Sequence, residues 1–502
     1  MSVSNVVPAP AIGGFSLFST QPKIKILHFS WLAFLVSFIV WFNLAPLLAS
    51  IRETFGLTNQ QVAALGIMNL ALTIPARIGV GILTDKLGPR LMYTILLVIT
   101  GLLCIAFALS TSFEMLAVTR FLLGFAGAGF VVGIRIVAEW FPAKENGRAQ
   151  GIYAGLGNFG SAVAAVTLPT MAYALAGYFP GWDGWRLAMI ATGLLALVYA
   201  VVYYLAVTDT PKGATYFKPK KTGAMEVTSR ADFFLYCVMQ APLVLALAQL
   251  AWKLGPDQLK LISQPVVLAL YGGLAALFAL QIADTWRINR GIFQEPVAQI
   301  YRYRFTQVAV LDIAYLITFG SELTVVSILP LLFKDTFGLS LTMAGFLGAS
   351  FGMTTFFARP AGGWLSDRYG RRRILLICLA GTALGYAAMS FMGPKTGVAF
   401  AVVSTVICSL FVNAGNGAVY AMLPMVKRRL TGQIAGMVGA FGNVGGVLFL
   451  AIYSAVDVST FFLAAAAAAA IGVLLTWAFI AEPTGQIAED MPDGSIAMID
   501  VT

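Results

Sequence analysis

Charged residues are scarce in this sequence: Asp, Glu, Lys and Arg make up 11% of 502 residues, whereas hydrophobic residues make up 59%. A soluble domain could not bury so much apolar surface, so the composition predicts an all-α polytopic membrane protein. The net charge of +10 could suggest a nucleic-acid partner. The basic residues instead fall in short loops that alternate along the chain, which is typical of cytoplasmic loops and argues against nucleic acid.

Side chains for metal binding or covalent catalysis are equally scarce. His28 is the single histidine, and the four cysteines lie in apolar segments without metal-ligand spacing. We therefore expect no metal, no cofactor and no enzyme activity. The N-terminus has no short signal-type apolar region with a cleavage site, so the first apolar segment is expected to stay in the mature protein.

Long apolar runs are abundant and predict two sets of six membrane spans. The first set lies near 27–50, 61–84, 92–111, 115–139, 149–177 and 186–207, and the second near 306–332, 341–366, 373–393, 397–424, 433–454 and 460–481. The predicted division is a cytoplasmic segment 1–25, a six-helix bundle 26–208, a connector 209–305, a six-helix bundle 306–482 and a disordered cytoplasmic tail 483–502.

The connector contains two further apolar runs, near 233–253 and 262–283. Each is long enough to cross a bilayer, and a pair of spans leaves the topology on either side unchanged. An interfacial or re-entrant hairpin is the alternative. The sequence favours the two extra spans.

One stretch occurs twice, with an offset of 282 residues. In each copy an arginine lies in an apolar helix, a glycine follows four residues later, and an Asp-basic-x-Gly-x-basic turn ends the helix. The first copy has Arg77, Gly81, Asp85, Lys86, Gly88 and Arg90, and the second has Arg359, Gly363, Asp367, Arg368, Gly370 and Arg372. A charged side chain inside a membrane is costly unless it faces a cavity or a partner. Two at equivalent positions therefore indicate a shared site.

A second repeat has an offset of 285 residues. The run 147–160 matches 432–445, with four glycines and one asparagine coinciding, so the two halves are predicted to be duplicates. At 1.5 Å per residue, the two arginines lie roughly 12 Å, and Asn158 and Asn443 roughly 15 Å, from the cytoplasmic ends of their helices. All four side chains are therefore expected near mid-bilayer, where transporters built from repeats bind substrate.

The two turn motifs resemble the loop motif of the major facilitator superfamily. The runs 155–160 and 442–445 look like the paired signatures of its nitrate/nitrite porter family. The central hairpin is similar to cyanobacterial-type nitrate/nitrite permeases, and the run 319–324 is similar to eukaryotic high-affinity nitrate symporters. The resemblance implies a major facilitator fold and uptake of nitrate, together with nitrite, by alternating access in the cell inner or plasma membrane. A monomer is expected.

In that family one arginine in span two and one in span eight bind the anion. The matching residues in this sequence are Arg77 and Arg359. A planar, forked guanidinium suits a flat oxyanion better than lysine does. The further substrate-site residues that we predict are Asn158, Asn443, Tyr315, Phe130, Phe319, Gly157 and Gly442. Because no carboxylate is expected level with the arginines, one positive charge should remain in excess when a monovalent anion is bound. A structural ion pair is the alternative role for the arginines, and ordinary packing is the alternative for the aromatic residues and glycines.

Four charged residues are candidates for coupling or gating. Glu322 is expected outward of the anion layer, either as a proton carrier or as a permanently ionised partner of a basic residue, with Asp312 on the inner side of the same helix. Arg135 and Glu139 lie four residues apart and are predicted to pair with each other or with the Asp85 loop as a cytoplasmic gate.

Proton symport is the favoured mechanism, and nitrate/nitrite antiport is the alternative. A carrier for another small anion and a nitrate-sensing membrane receptor are the competing functions. Transport by reconstituted protein would separate the receptor from the carriers.

Overall fold

The computed structural model describes residues 15–216, 218, 223–339, 341–482, 484–490 and 496–500. Within these ranges the chain forms nineteen α-helices and one two-stranded hairpin. Of the predicted cytoplasmic segment 1–25, residues 1–14 lie outside the described residues.

The first bundle uses ten helices for its six predicted spans, because several spans are broken into two. They are α1 (Pro22–Phe42), α2 (Leu44–Phe55), α3 (Asn59–Ala71), α4 (Thr73–Leu87), α5 (Pro89–Ala108), α6 (Phe113–Leu123), α7 (Gly129–Trp140), α8 (Ala143–Asn158), α9 (Gly160–Tyr178) and α10 (Gly184–Ala206). A 3₁₀ turn, Gly124–Ala128, joins α6 to α7.

The connector and the second bundle follow. The connector contributes α11 (Arg230–Leu254) and α12 (Gln264–Asn289), and the second bundle contributes α13 (Phe305–Phe337), α14 (Leu341–Met353), α15 (Thr355–Tyr369), α16 (Arg371–Met389), α17 (Gly397–Val426), α18 (Thr431–Ala455) and α19 (Val458–Phe479). Thirteen helical segments of the described chain are long and apolar enough to cross a membrane. The all-α architecture is confirmed. The predicted span 341–366 is not among these thirteen segments; the structure has two shorter helices there, α14 and α15.

Glycine ends the arginine-bearing helix of each half. Gly88 follows α4 with a φ of 93°, and Gly370 follows α15 with a φ of 96°. Residues with a Cβ rarely adopt this conformation, so the turn requires glycine. We call the side of the molecule with the Asp85 and Asp367 turns the motif side.

Two helix pairs hold the halves together: α4 packs on α18, and α8 packs on α15. A Cβ added to Gly81 would lie 2.4 Å from the carbonyl oxygen of Gly432, and one added to Gly363 would lie 1.9 Å from that of Gly147. The first-repeat glycine of each half therefore contacts the second-repeat glycine of the other half. Only a residue without a side chain permits this backbone approach.

The two connector helices form an antiparallel pair beside the second bundle. With 25 and 26 residues, α11 and α12 are each about 38 Å long, more than the ~30 Å of a hydrocarbon core. The first of them packs on α13 and α18, whereas α12 packs mainly on α11. Both have the length that two extra spans need, and their crossing of the membrane stays a prediction.

The C-terminal tail differs from the predicted disorder at ten residues. Strands β1 (Gln486–Asp490) and β2 (Ile496–Asp500) pair antiparallel. The acidic composition suggested disorder, but short runs with Ile487, Ile496 and Ile499 have enough β-propensity to pair locally. Residues 483, 491–495, 501 and 502 of the predicted tail lie outside the described residues.

Candidate functional site

The two arginines of the first repeat both lie against one aromatic ring. The guanidinium carbon of Arg77, on α4, is 5.5 Å from the centre of the Phe319 ring, and that of Arg359, on α15, is 5.3 Å from it. Each arginine is 1% exposed. Phe319 lies on α13, so three helices from both halves meet here. The duplicated halves thus contribute one buried guanidinium each to a common centre.

Arg77 is held by backbone carbonyls. Its Nε donates to the carbonyl oxygen of Gly127 at 3.1 Å, and its Nη1 donates to that of Gly439 at 2.6 Å. Gly439 belongs to α18 of the other half. The guanidinium therefore bridges the halves and is paired with neutral dipoles, which leaves its positive charge unneutralised by these contacts.

Arg359 has an acidic partner. Its Nη2 donates to Oε2 of Glu322 at 2.9 Å, and Nδ2 of Asn416 donates to the same oxygen at 2.7 Å. The hydroxyl of Thr355 donates to Oε1 of Glu322 at 3.3 Å. The Glu322 side chain is 11% exposed, so this is a buried ion pair with additional hydrogen bonds.

The expectation that no carboxylate lies level with the arginines was therefore wrong, and the ion pair agrees with the alternative role of Glu322 as the partner of a basic residue. Counting 1.5 Å per residue from the end of each helix placed Glu322 outward of the arginines and left them without a carboxylate at their level. That count treats the helices as parallel, with level ends, and ignores side-chain length. In the folded chain α13 and α15 approach each other so that Arg359 and Glu322 meet directly.

The charges at this centre add to +1. Arg77 and Arg359 each carry one positive charge, and an ionised Glu322 carries one negative charge. The expectation of one excess positive charge in the occupied site is corrected accordingly, because a bound monovalent anion would leave the centre neutral.

Aromatic rings surround the arginines. Tyr315 stacks on Phe319 with the ring centres 5.0 Å apart, and its edge meets Tyr420 at 4.8 Å. Tyr420 in turn contacts Phe130 at 4.6 Å, and the Phe130 ring centre is 5.8 Å from the Arg77 guanidinium carbon. The predicted aromatic residues are therefore all within the first layer around the arginines. They exclude water and present ring faces to the cations.

Both repeat asparagines are buried, and each has a side-chain atom without a hydrogen-bond partner among the described residues. Asn443 is 1% exposed, and neither its Nδ2 nor its Oδ1 has a hydrogen-bond partner among the described residues. Asn158 is 9% exposed, and its Nδ2 also lacks a partner there. Buried polar atoms are usually hydrogen-bonded, so unsatisfied amides indicate a binding partner that is absent from the protein itself.

The predicted site glycines make room for rings. A Cβ on Gly442 would lie 2.6 Å from Cε1 of Tyr315 and 2.7 Å from Cδ1 of Phe319. A Cβ on Gly157 would lie 1.8 Å from Cδ1 of Phe34, which packs on Phe130. The first glycine therefore acts at the arginine centre, and the second acts one layer away.

On the motif side, the aspartate of each turn contacts the other half. Asp85 accepts from the backbone N–H groups of Gly432 and Gln433 at 3.0 and 2.8 Å. Asp367 accepts from those of Gly147 and Arg148 at 3.0 and 2.7 Å. The turn motif of one half is thus joined to the second repeat of the other half in both directions.

An ion cluster surrounds Asp85. Arg135 lies 3.3 Å from Asp85 and 3.0 Å from Glu139, and Arg428 of the second bundle lies 3.5 Å from Glu139. Tyr216 accepts from Nε of Arg135 and donates to the carbonyl oxygen of Thr84. Burial raises the pKa of the Tyr216 phenol, which therefore stays neutral at physiological pH. The cluster ties both halves together on the motif side.

The remaining basic residues of the motif have structural contacts or face solvent. Arg90 donates to the carbonyl oxygen of Tyr204, and Arg372 donates to that of Trp477. These are equivalent positions in the last helix of each bundle. Lys86 and Arg368 are exposed.

Asp312 lies apart from the arginine centre. It is fully buried on α13, and neither carboxyl oxygen has a hydrogen-bond partner in the described part of the chain. Asp312 is therefore a buried acidic group that no ion pair neutralises within the described ranges.

Sequence reasoning missed two residues of this site, Tyr420 and Asn416. They lie four residues apart on α17, and each touches a predicted residue, Tyr315 or Glu322. Two polar side chains on one face of an apolar span were the available signal. The second repeat lies in spans five and eleven, so it gave no indication of these two residues in span ten.

The sequence profile of the Major Facilitator Superfamily matches residues 30–293 and 311–494. The nitrate/nitrite transporter NrtP of Nostoc punctiforme is 42% identical over 477 residues, covering 94% of this chain and 95% of the relative. NrtP of a Picosynechococcus species is 39% identical, covering 87% and 86%. Among solved structures, the transporter FucP in its outward conformation has a TM-score of 0.62 at 12% identity, covering 92% of this chain and 100% of FucP.

Proposed function

Because this chain belongs to the Major Facilitator Superfamily and to its nitrate/nitrite porter family, we propose that it takes up nitrate and nitrite by alternating access. It is a transporter and not an enzyme. One observation supports the anion assignment above all others: two buried guanidinium groups, one from each half, lie against Phe319, with a net charge of +1 at the centre.

Nitrate matches this centre in charge and shape. One monovalent anion neutralises the centre, and a flat anion can accept parallel N–H bonds from a guanidinium edge while its face lies on an aromatic ring. Asn158 and Asn443 supply further N–H groups, since neither amide is satisfied within the described chain. Binding the anion between Arg77 and Arg359 draws the halves together and favours the closed arrangement.

The motif side is proposed to be the cytoplasmic side, because the basic turn residues lie there. Both termini then face the cytoplasm of a cell whose inner or plasma membrane holds the protein as a monomer. In the structure, the Asp85 contacts with Gly432 and Gln433 close this side. Release into the cytoplasm requires that these bonds and the Arg135 cluster separate, while the helices approach each other on the opposite side.

Proton symport is the proposed coupling, and Asp312 is its proposed proton carrier. The charge of Glu322 is already neutralised by Arg359, and Asn416 donates a hydrogen bond to the same carboxylate. An ionised carboxylate without partners costs several kcal/mol of burial, so Asp312 is expected to be protonated in this conformation and to release its proton when water reaches it.

Counterflow of labelled nitrate in proteoliposomes tests this function. Purified protein should exchange labelled nitrate without any partner protein, and an inward proton gradient should drive net accumulation. A dependence on nitrite on the opposite side, with no response to the proton gradient, would show antiport instead. Failure to move nitrate under either condition would contradict the assignment.

A further inference from the structure

A second cavity lies between the connector helices and the first repeat. It has a volume of about 270 Å³ and is formed by α11, α12, α4 and α18. It is separate from the arginine centre: its lining includes Ile78 and Ile82 of α4, beyond Arg77 toward the motif side, but neither arginine and neither repeat asparagine. The nitrate proposal therefore gives this cavity no role.

Two glutamine amides in the cavity wall are unsatisfied. Gln433 of α18 is 4% exposed, and its Oε1 has no hydrogen-bond partner among the residues that the structure describes. Oε1 of Gln281 on α12 is buried and likewise without a partner there. Both side chains line the cavity. Because unsatisfied buried amides are costly, two that face one cavity indicate a ligand that bonds to them.

The other polar groups of the wall are already bonded. Asp284 accepts from the backbone N–H of Ala224 and from Arg287. Gln240 donates to the hydroxyl of Thr285 at 3.0 Å. No lysine or arginine is among the described residues that line the cavity. This part of the wall therefore offers no cation for a phosphate group, and the groups in it that can still accept hydrogen bonds are neutral amides.

The rest of the wall is apolar and reaches the outer surface of the helix bundle. Ile78, Leu243 and Met437 line it, together with Leu280, which is 67% exposed on the outer helix α12. Since α12 packs mainly on α11, this opening faces the surroundings of the predicted spans. The cavity wall thus combines polar amides with an apolar part, called the apolar channel, that ends at the exposed Leu280; we expect this end to face lipid.

We propose that this cavity binds a membrane lipid with an uncharged, hydroxyl-rich headgroup. An amide offers one acceptor and two donors, and a hydroxyl can both donate and accept, so hydroxyls satisfy Gln433 and Gln281 together. The volume suits a single sugar ring, and the apolar channel holds the start of an acyl chain. The lipid would connect α12 to α18, where Gln433 also bonds to Asp85 through its backbone N–H.

Lipid titration of the purified, delipidated full chain, followed by native mass spectrometry, tests the proposal. The probes are a diacylglycerol with one hexose, phosphatidylglycerol with the same acyl chains, and free hexose. We expect one hexosyl lipid per protein, bound at least tenfold more tightly than phosphatidylglycerol, with free hexose not competing. Equal affinity for the two lipids, or displacement by free hexose, would overturn it.

Variants locate the lipid. The double substitution Gln433→Leu with Gln281→Leu should lower the affinity for the hexosyl lipid at least tenfold, to that of phosphatidylglycerol. Gln307→Leu is the matched control, since Gln307 is a glutamine of α13 outside the cavity lining. If the double variant does not fold, Leu243→Phe, which fills the apolar channel, should reduce binding in the same assay. Unchanged binding in the folded variant would overturn the assignment.

Discussion

Replacing Glu322 with glutamine is expected to destabilise the empty transporter and to make nitrate a stronger stabiliser. The substitution removes the negative charge 2.9 Å from Arg359 and raises the charge of the centre from +1 to +2. Breaking a buried ion pair by removing one partner typically costs about 3–5 kcal/mol. The two guanidinium carbons lie 5.5 and 5.3 Å from the centre of the Phe319 ring, so they are at most about 11 Å apart. At that separation their repulsion is roughly 1.5 kcal/mol at an effective dielectric constant of 20.

Nitrate replaces the lost countercharge in this variant. At a concentration one hundred times its dissociation constant, a ligand stabilises the folded state by about 2.7 kcal/mol. The assay is thermal unfolding in detergent at a series of nitrate concentrations. Without nitrate, we expect Glu322→Gln to unfold at a lower temperature than the wild type. Added nitrate should raise the unfolding temperature of the variant by more than it raises that of the wild type.

Asp312→Asn is the matched control, because it makes the same chemical change ten residues earlier on α13, at a carboxyl group with no ion pair in the described chain. It should leave the unfolding temperature nearly unchanged. The reasoning is refuted if Glu322→Gln is as stable as this control without nitrate, or if nitrate stabilises the variant no more than the wild type.

Three further predictions concern transport in proteoliposomes. Arg77→Lys should raise the nitrate KM at least tenfold in initial-rate uptake, because lysine lacks the planar fork; an unchanged KM would contradict direct anion contact. Asp312→Asn should abolish accumulation driven by a proton gradient but preserve nitrate counterflow, and accumulation at the wild-type level would exclude Asp312 as the carrier. Gly81→Ala should stop uptake, because its Cβ would lie 2.4 Å from the Gly432 carbonyl oxygen. Gly79→Ala is the control and should transport normally, since a Cβ there would meet open space. Equal uptake rates for the two variants would show that the close contact at Gly81 is dispensable.

The two repeats predicted more of the site than hydropathy did. The equivalent positions of Arg77 and Arg359 indicated a common centre, and in the structure both lie against Phe319. The same equivalence gave no information about Glu322, because the first half has no matching carboxylate to pair with its arginine. Tyr420 was missed for a related reason: it belongs to neither repeat, and its contact with Tyr315 depends on how α17 is rotated.

The sequence by itself determined the class of protein, the duplication and the two arginines, since these follow from local composition and from spacing along one chain. Only the tertiary structure decided that Arg359 pairs with Glu322, that Asp312 has no such partner, and that a cavity with unsatisfied amides separates α12 from α18. Such contacts depend on the tilt and rotation of helices far apart in the chain. A sequence records the distance along each helix, but it does not record which side chains face each other across the space between helices.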